Sequence, residues 1–419
     1  MSFAAVRVAA QTRFEPVAYA ALDGDQQRRY ALGLAVFNTH WVAAGTAQAA
    51  RIDGVGPLHN APSCDACHNS GARGRGPEGD GALPIGLVIA VSPAGSAGPH
   101  PRYGHVLNPS GLDRVPAEAQ LRVRYRMLEG RYPDGARWQL RDPRYLVEAP
   151  GYGALADDTV LKPRLAPALF GAGLLERVPV DWLRRREARN AERTDGVRGR
   201  IAWREFDGRK MPGRFDWQGD AVSVANQTGR AFAREMGLSN PLQPADDCTA
   251  TQAACRKAAS GGSPEVDPQL FAAVEAFQRW LAVPAVARDG GIEADGAALF
   301  TATGCADCHV PALPVEIDGA GPAQLPAYSD LLVHDLGSGL ADRDLRGQAV
   351  PGAWRTAPLW GLGYAVQRGG ALGLLHDGRA RSVEEAILWH GGEAAAAQAR
   401  FVASTPGQRA LLLRWLETR

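Results

Sequence analysis

Lysine is nearly absent from this 419-residue chain: Lys162, Lys210 and Lys257 are the only ones, so arginine carries almost all the positive charge. Net formal charge is also close to nil, at +1, which leaves no broad basic field for nucleic acid or for an anionic membrane surface. No apolar run approaches the roughly 18–20 residues of a spanning helix, so no membrane span is expected. The opening stretch, MSFAAVRVAAQTRF, lacks a sustained apolar region and makes a poor signal peptide. Aromatic residues are modest at 7 %, whereas glycine and proline number 49 and 29, a composition that favours short helices and loops over long packed ones.

What is present is a repeated motif. Cys64-Asp65-Ala66-Cys67-His68 and Cys305-Ala306-Asp307-Cys308-His309 are two copies of Cys-x-x-Cys-His. The two thiols are spaced to add across the vinyl groups of a porphyrin, and the adjacent imidazole is placed to ligate its iron, the signature of covalent c-type haem attachment. A structural zinc site would need a second ligand pair at a fixed loop spacing, and none follows either motif closely. A thioredoxin-like thiol pair would need a βαβ setting, which the flanks lack. Two covalently bound c-type haems are therefore the expected cofactors, with His68 and His309 as proximal ligands. Such attachment takes place after export, so a periplasmic location is expected, the leader having been removed or replaced. The two remaining cysteines, Cys248 and Cys255, suit a disulfide in that oxidising compartment, worth roughly 2–3 kcal/mol by loop entropy.

The chain reads as two diverged halves. Gly33-Leu34-Ala35-Val36-Phe37 precedes the first motif and Gly296-Ala297-Ala298-Leu299-Phe300 the second; in each, a short helix would set an aromatic ring beside the haem edge. Arg164-Leu165-Ala166-Pro167 with Leu169-Phe170-Gly171 then matches Arg355-Thr356-Ala357-Pro358 with Leu359-Trp360-Gly361. Leu174-Leu175-Glu176 and Leu374-Leu375-His376 close the two units. The first half also carries an alternating segment, Leu121 to Met127, a Pro133-Asp134-Gly135 turn and Ala136 to Leu140, which together predict a β-hairpin with a solvated arginine face. Asp267 before Pro268, and Thr405 before Pro406, predict capped helices. The expected fold is mainly α: a first c-type haem domain over 1–245 with an N-terminal arm and a small β-hairpin insertion, a linker with the disulfide over 246–264, and a second c-type haem domain over 265–419.

Ser382-Val383-Glu384-Glu385 reads as a capping box opening a helix that runs to His390 and stops at Gly391-Gly392. Val383, Ile387 and His390 share one face, so His390 points to the core and is the expected sixth ligand of the second haem, opposite His309. A haem with two histidines is closed and acts as an electron store or relay. His376 and Arg379, at the glycine turn before this helix, are candidate partners of the haem propionates, with ordinary turn chemistry as the alternative. The fourteen-residue step from His376 to His390, applied to Glu176, lands on Asn190, a poor iron ligand. The first haem, held by His68, is accordingly expected to keep an open position where peroxide or dioxygen binds. Glu176 is the candidate acid–base group there and Arg164 the candidate stabiliser of developing negative charge. Met236, His59, His100 and His105 could ligate instead, and no spacing selects among them.

These segments, with Gly213-Arg214-Phe215-Asp216-Trp217 and Tyr328 to Gly337, resemble the bacterial di-haem oxidoreductases of peroxidase type, sometimes labelled thiol oxidoreductases. That family is distantly related to the di-haem cytochrome c peroxidases and to the methylamine dehydrogenase maturation enzyme. In those relatives the position matching His390 holds Met or Tyr, which implies a ligand role for His390 and a lower potential than Met would give. The resemblance also implies a calcium ion between the haems, which this sequence does not itself indicate, and an inter-haem tryptophan, for which Trp182 is the nearest by repeat position. The expected function is a di-haem, peroxidase-like oxidoreductase that uses peroxide or dioxygen and a redox partner protein or small electron donor. The alternatives are a di-haem electron carrier with both irons closed, and an enzyme oxidising a large protein or polymer substrate.

Overall fold

The computed structural model describes residues 15–46, 52–96, 98–286, 289–317, 321–370 and 372–419; the amino-terminal segment read above for a leader lies outside them. Its helices are α1 Gly24–Asn38, α2 Cys64–Cys67, α3 Ala172–Glu176, α4 Val180–Glu192, α5 Val224–Glu235, α6 Pro268–Trp280, α7 Glu293–Thr303, α8 Leu362–Gln367, α9 Val383–Leu388, α10 Ala395–Ala403 and α11 Pro406–Leu416.

The Gly-x-x-x-Phe signal has a packing cause. Glycine and phenylalanine four apart share a helix face. On α1, a Cβ at Gly33 would lie 1.9 Å from the Ala273 carbonyl oxygen, so only glycine lets α6 cross so closely, and Phe37 packs at a tilt against Phe277 of α6 at 5.0 Å. On α7, a Cβ at Gly296 would lie 2.2 Å from Trp415 of α11, and Phe300 meets Trp415 at 5.1 Å. Both crossing helices begin as the sequence predicts. Asp267 accepts from the Gln269 and Leu270 amides with Pro268 at the first turn, and Thr405 forms a capping box with Gln408 ahead of Pro406. Helix α6, which a boundary at 265 assigns to the second region, thus packs on α1 beside the first motif.

The mainly-α expectation is corrected: the chain is mixed, with 30 % helix and 21 % strand spread over several sheets. The hairpin is longer than its alternating core suggests, pairing Gln120–Arg131 with Arg137–Glu148 in register from Gln120↔Glu148 to Arg131↔Arg137. It is not confined to the first region either. Its inner face lies on the second: Tyr132 donates to Glu384, Arg141 donates to the Arg379 carbonyl, and Leu140 joins the cluster of Phe300, Leu388 and Trp389. A five-stranded antiparallel sheet joins the halves, in the order Ala349–Val350, Asp342–Asp344, Val160–Leu165, Leu87–Ser92, Val106–Leu107. Strands of two to six residues are too short to show a period, and partners some 180 positions apart leave no local trace, which is why the glycine- and proline-rich stretches read as loops.

The repeated segments meet each other. Gly171 and Gly361 both take positive φ at the starts of α3 and α8. A Cβ on Gly171 would come within 2.7 Å of Trp360, and one on Gly361 within 3.1 Å of Phe170. Each half thus lays its aromatic on the other's glycine.

Candidate functional site

Both Cys-x-x-Cys-His motifs open onto one continuous cavity of about 440 Å³. At the first, α2 is capped by Ser63, whose Oγ accepts from the Ala66 amide. Cys64 and Cys67 are unpaired, and burial pushes both thiols up to about 12. The His68 ring sets Nδ1 2.8 Å from the Pro167 carbonyl oxygen, a contact that needs Nδ1–H and so leaves the Nε2 lone pair free. Burial lowers the His68 pKa to about 4, so the ring is neutral, as an iron ligand must be.

The second motif repeats the pattern with a different partner. His309 Nδ1 lies 2.9 Å from the Tyr328 carbonyl oxygen, and burial, helped by neighbouring His390 and opposed by that hydrogen bond, brings the pKa down to about 4. Cys305 and Cys308 are unpaired. His390 lies just beyond α9, with Nδ1 2.6 Å from the Ala386 carbonyl oxygen, and lines the cavity. Ser382 caps α9 by accepting from the Glu385 amide, but the box is not reciprocal: the Glu385 carboxylate takes the Arg381 amide and guanidinium instead. Arg186 donates to the Asp307 carbonyl and Arg193 pairs with the Asp307 carboxylate at 3.0 Å, so the arginine-rich α4 and the residue that caps its end clamp this motif.

The donor set, two free thiols beside a neutral histidine at each motif, fits haem. Among the described residues no cluster of three or more His, Cys, Asp or Glu could hold a metal ion. The cavity wall carries buried cations in want of anions. Among the described residues, Arg73 donates only to the Leu375 carbonyl and its Nε has no partner, and burial lowers its pKa to about 10. Arg355, likewise lowered to about 10, bonds only to the carbonyls of Asp216 and Thr356. His376 Nε2 is also without a hydrogen bond. Haem carboxylates are the groups these three would satisfy.

The other sequence candidates sit behind the wall. Glu176 Oε1 accepts from the Val224 amide at the start of α5 and Oε2 pairs with Arg279 at 2.9 Å, so the carboxylate anchors α5; of that segment Leu175 lines the cavity. Arg164 makes a two-point pair with Asp342 at 2.7 Å and lies 4.8 Å over Trp354. Arg379 is bound to Asp377 and to the Gly339 carbonyl. Asn190 lies at the second motif, donating to the Gly199 carbonyl; a Cβ on Gly199 would fall within 2.2 Å of His334. The fourteen-residue step does not superpose the halves, because Glu176 follows Gly171 by five residues whereas His376 follows Gly361 by fifteen. His59, His100 and His105 do not line the cavity; Met236 does, from the apolar cluster of Trp41, Val55 and Phe232. Cys248 and Cys255 form a disulfide with Cα atoms 5.8 Å apart.

Sequence reading passed over three features. Trp354 stacks on His376 at 3.7 Å and 12°, and both face the cavity, as does Trp217; Trp182 does not. His334 is held between Asp330 at 3.1 Å and Glu393 at 2.7 Å beside Cys308, and despite burial these partners raise its pKa to about 12. Gln227, Ala231 and Glu235 line the cavity from α5, and burial raises Glu235 to about 7. The one signal for the last was a polar–small–polar spacing of four.

Residues 113–418 match the family described as "Di-haem oxidoreductase, putative peroxidase". No curated protein sequence matches the chain. Among solved structures, a hydrazine synthase of Kuenenia stuttgartiensis aligns with 100 % of this chain and 99 % of its own at 11 % identity and a TM-score of 0.37, a likeness too slight to argue from.

Proposed function

Since the chain belongs to the family of di-haem oxidoreductases so described, we propose that it is a periplasmic enzyme with two c-type haems that reacts with peroxide at the first site and relays electrons through the second. The observation behind this reading is that two like motifs open onto one cavity with unlike opposite walls. His390 stands close to His309, whereas the helix facing the first region, α5, offers no imidazole. When bound, the haems supply redox-active irons, one of them able to take an exogenous ligand.

The chain's own residues divide the remaining work. Cys64, Cys67, Cys305 and Cys308 hold the two groups covalently, and the carbonyls of Pro167 and Tyr328 fix the rings of His68 and His309 with Nε2 free. Arg73, Arg355 and His376 offer buried partners to carboxylates. Glu176 acts from behind the wall by anchoring α5, and Arg164 by steadying Trp354 between the two regions.

Optical and EPR spectra of the haem-loaded protein test the reading. One high-spin and one low-spin centre, with the high-spin signal lost on adding cyanide or peroxide, is the expected result. Two low-spin centres indifferent to both reagents would overturn it in favour of an electron carrier.

A further inference from the structure

The loop closed by Cys248 and Cys255 carries Gln252, which is fully buried. Its Oε1 accepts from the Thr249 amide of the same loop at 2.7 Å, so the side chain moves with the loop, while its Nε2 donates to Glu118 Oε1. Glu118 Oε2 accepts from the Asn108 backbone amide at 2.6 Å and from the Asn108 side chain at 3.1 Å. Asn108 Oδ1 accepts from Asn60 at 2.8 Å, and the Asn60 backbone amide donates at 2.7 Å to the carbonyl of Glu235, where α5 ends. Asn60 stands four residues before Cys64. An unbroken hydrogen-bonded chain thus joins the disulfide loop to the segment that carries the first motif and to the helix beside it. Gln252, Glu118 and Asn108 are at most 4 % exposed, so the loss of one partner leaves a buried polar group unsatisfied. Apart from the disulfide, the loop is tied through exposed contacts of Thr249 and Thr251 with the Arg102 carbonyl. Cys255 is buried and Cys248 is partly exposed, so Cys248 is the residue open to attack. A void of about 10 Å³ lined by both cysteines, Glu118, Asn108 and Gly237 gives the sulfurs space to part.

We propose that the Cys248–Cys255 disulfide is a thiol-exchange site through which a dithiol reductant controls the order of the first motif. A thiolate of the dithiol attacks Cys248 Sγ, the bond to Cys255 breaks, and Cys255 leaves as a thiolate that takes up a proton. The second thiol of the reductant then displaces Cys248 from the mixed disulfide. The dithiol ends as a cyclic disulfide and both cysteines end as thiols, two electrons and two protons having passed to the protein. With the loop open, Gln252 no longer holds Glu118, and the restraint that Asn108 and Asn60 place on the segment before Cys64 is relaxed. The effect on reactivity rests on the open first site proposed above; the exchange and the loosening do not.

The test uses the haem-loaded full chain treated with dithiothreitol, alkylated with iodoacetamide, freed of reagents and reoxidised with ferricyanide. Mass spectrometry should find alkyl groups on Cys248 and Cys255; a native chain that takes up none overturns the exchange site. Amide hydrogen exchange over residues 56–63 should become about tenfold faster, as for the loss of one buried hydrogen bond, with residues 305–309 unchanged. Gln252→Ala, with the disulfide intact, should speed exchange over 56–63 to the same extent, and reduction of that variant should add little, because both changes act through one contact. A disulfide that is only a staple would speed exchange in both regions alike on reduction and leave 56–63 unmoved in Gln252→Ala, which would overturn the proposal. Cyanide affinity at the first haem should fall about tenfold on reduction while the second haem's spectrum holds. A parent that binds no cyanide defeats the open-site reading alone, since labelling and exchange still judge the switch; a labelled chain with unaltered exchange defeats the switch alone.

Discussion

The regions around Cys64–His68 and Cys305–His309 share their Cys-x-x-Cys-His sequence and its immediate supports and differ in the walls that face them. Each has a Gly-x-x-x-Phe helix crossed by a capped partner, and each anchors its histidine through Nδ1 to a carbonyl. Around the first, the cavity is lined by Glu235, whose carboxyl burial pushes up to about 7. Around the second, buried carboxyls are ion-paired, Asp377 with Arg379 and both Asp330 and Glu393 with His334. A cofactor attached in the same way can thus meet a wall able to hold protons on one side and a wall of fixed charges with a spare imidazole on the other. Under the proposed function, reactivity would follow the opposing wall and not the attachment motif.

The sharpest way to break this comparison is to remove one motif at a time. Cys64→Ser with Cys67→Ser should cost one covalent haem by mass spectrometry and abolish the peroxide response. Cys305→Ser with Cys308→Ser should cost one haem yet leave cyanide binding at the first site. Equal loss of response in both would show the sites to be equivalent. Next in size, His390→Ala should raise the number of cyanide-binding haems from one to two, and His390→Met should keep the centre low-spin at a higher midpoint potential. Asp342→Ala would leave Arg164 buried and unpaired on the sheet that joins the halves, at a cost of about 3–5 kcal/mol by denaturant unfolding.

Smaller effects sharpen the same contrast. The folded chain retains a proton on Glu118 that the unfolded chain releases above about pH 4.5, so stability should fall as pH rises from 4.5 to 7 and level off beyond. The drop should be at most about 3 kcal/mol and should shrink in Glu118→Gln, measured by unfolding midpoints at pH 5 and 8. Gly33→Ala and Gly296→Ala, which crowd the two helix crossings, should each cost about 1–3 kcal/mol if the two regions are packed alike.

Legibility in the sequence followed distance along the chain. The haem motifs, the caps of α6 and α11 and the Gly-x-x-x-Phe pairs are written within five residues of themselves, because thiol spacing, orphan amides and the 3.6-residue turn are local constraints. The repeat Arg-x-Ala-Pro was equally plain, and its aromatic–glycine ends proved to touch. Counting onward from it to Asn190 failed, since the extra residues between Gly361 and His376 break the register that the offset assumed. Tertiary structure alone decided that α6 serves the first motif, that the hairpin lies on the second region, and that Glu176 anchors α5 while Gln227 and Glu235 face the cavity. Those outcomes depend on which surfaces bury each other across two hundred residues, and hydrophobic and hydrogen-bonding partners chosen over that span leave no pattern in the chain between them.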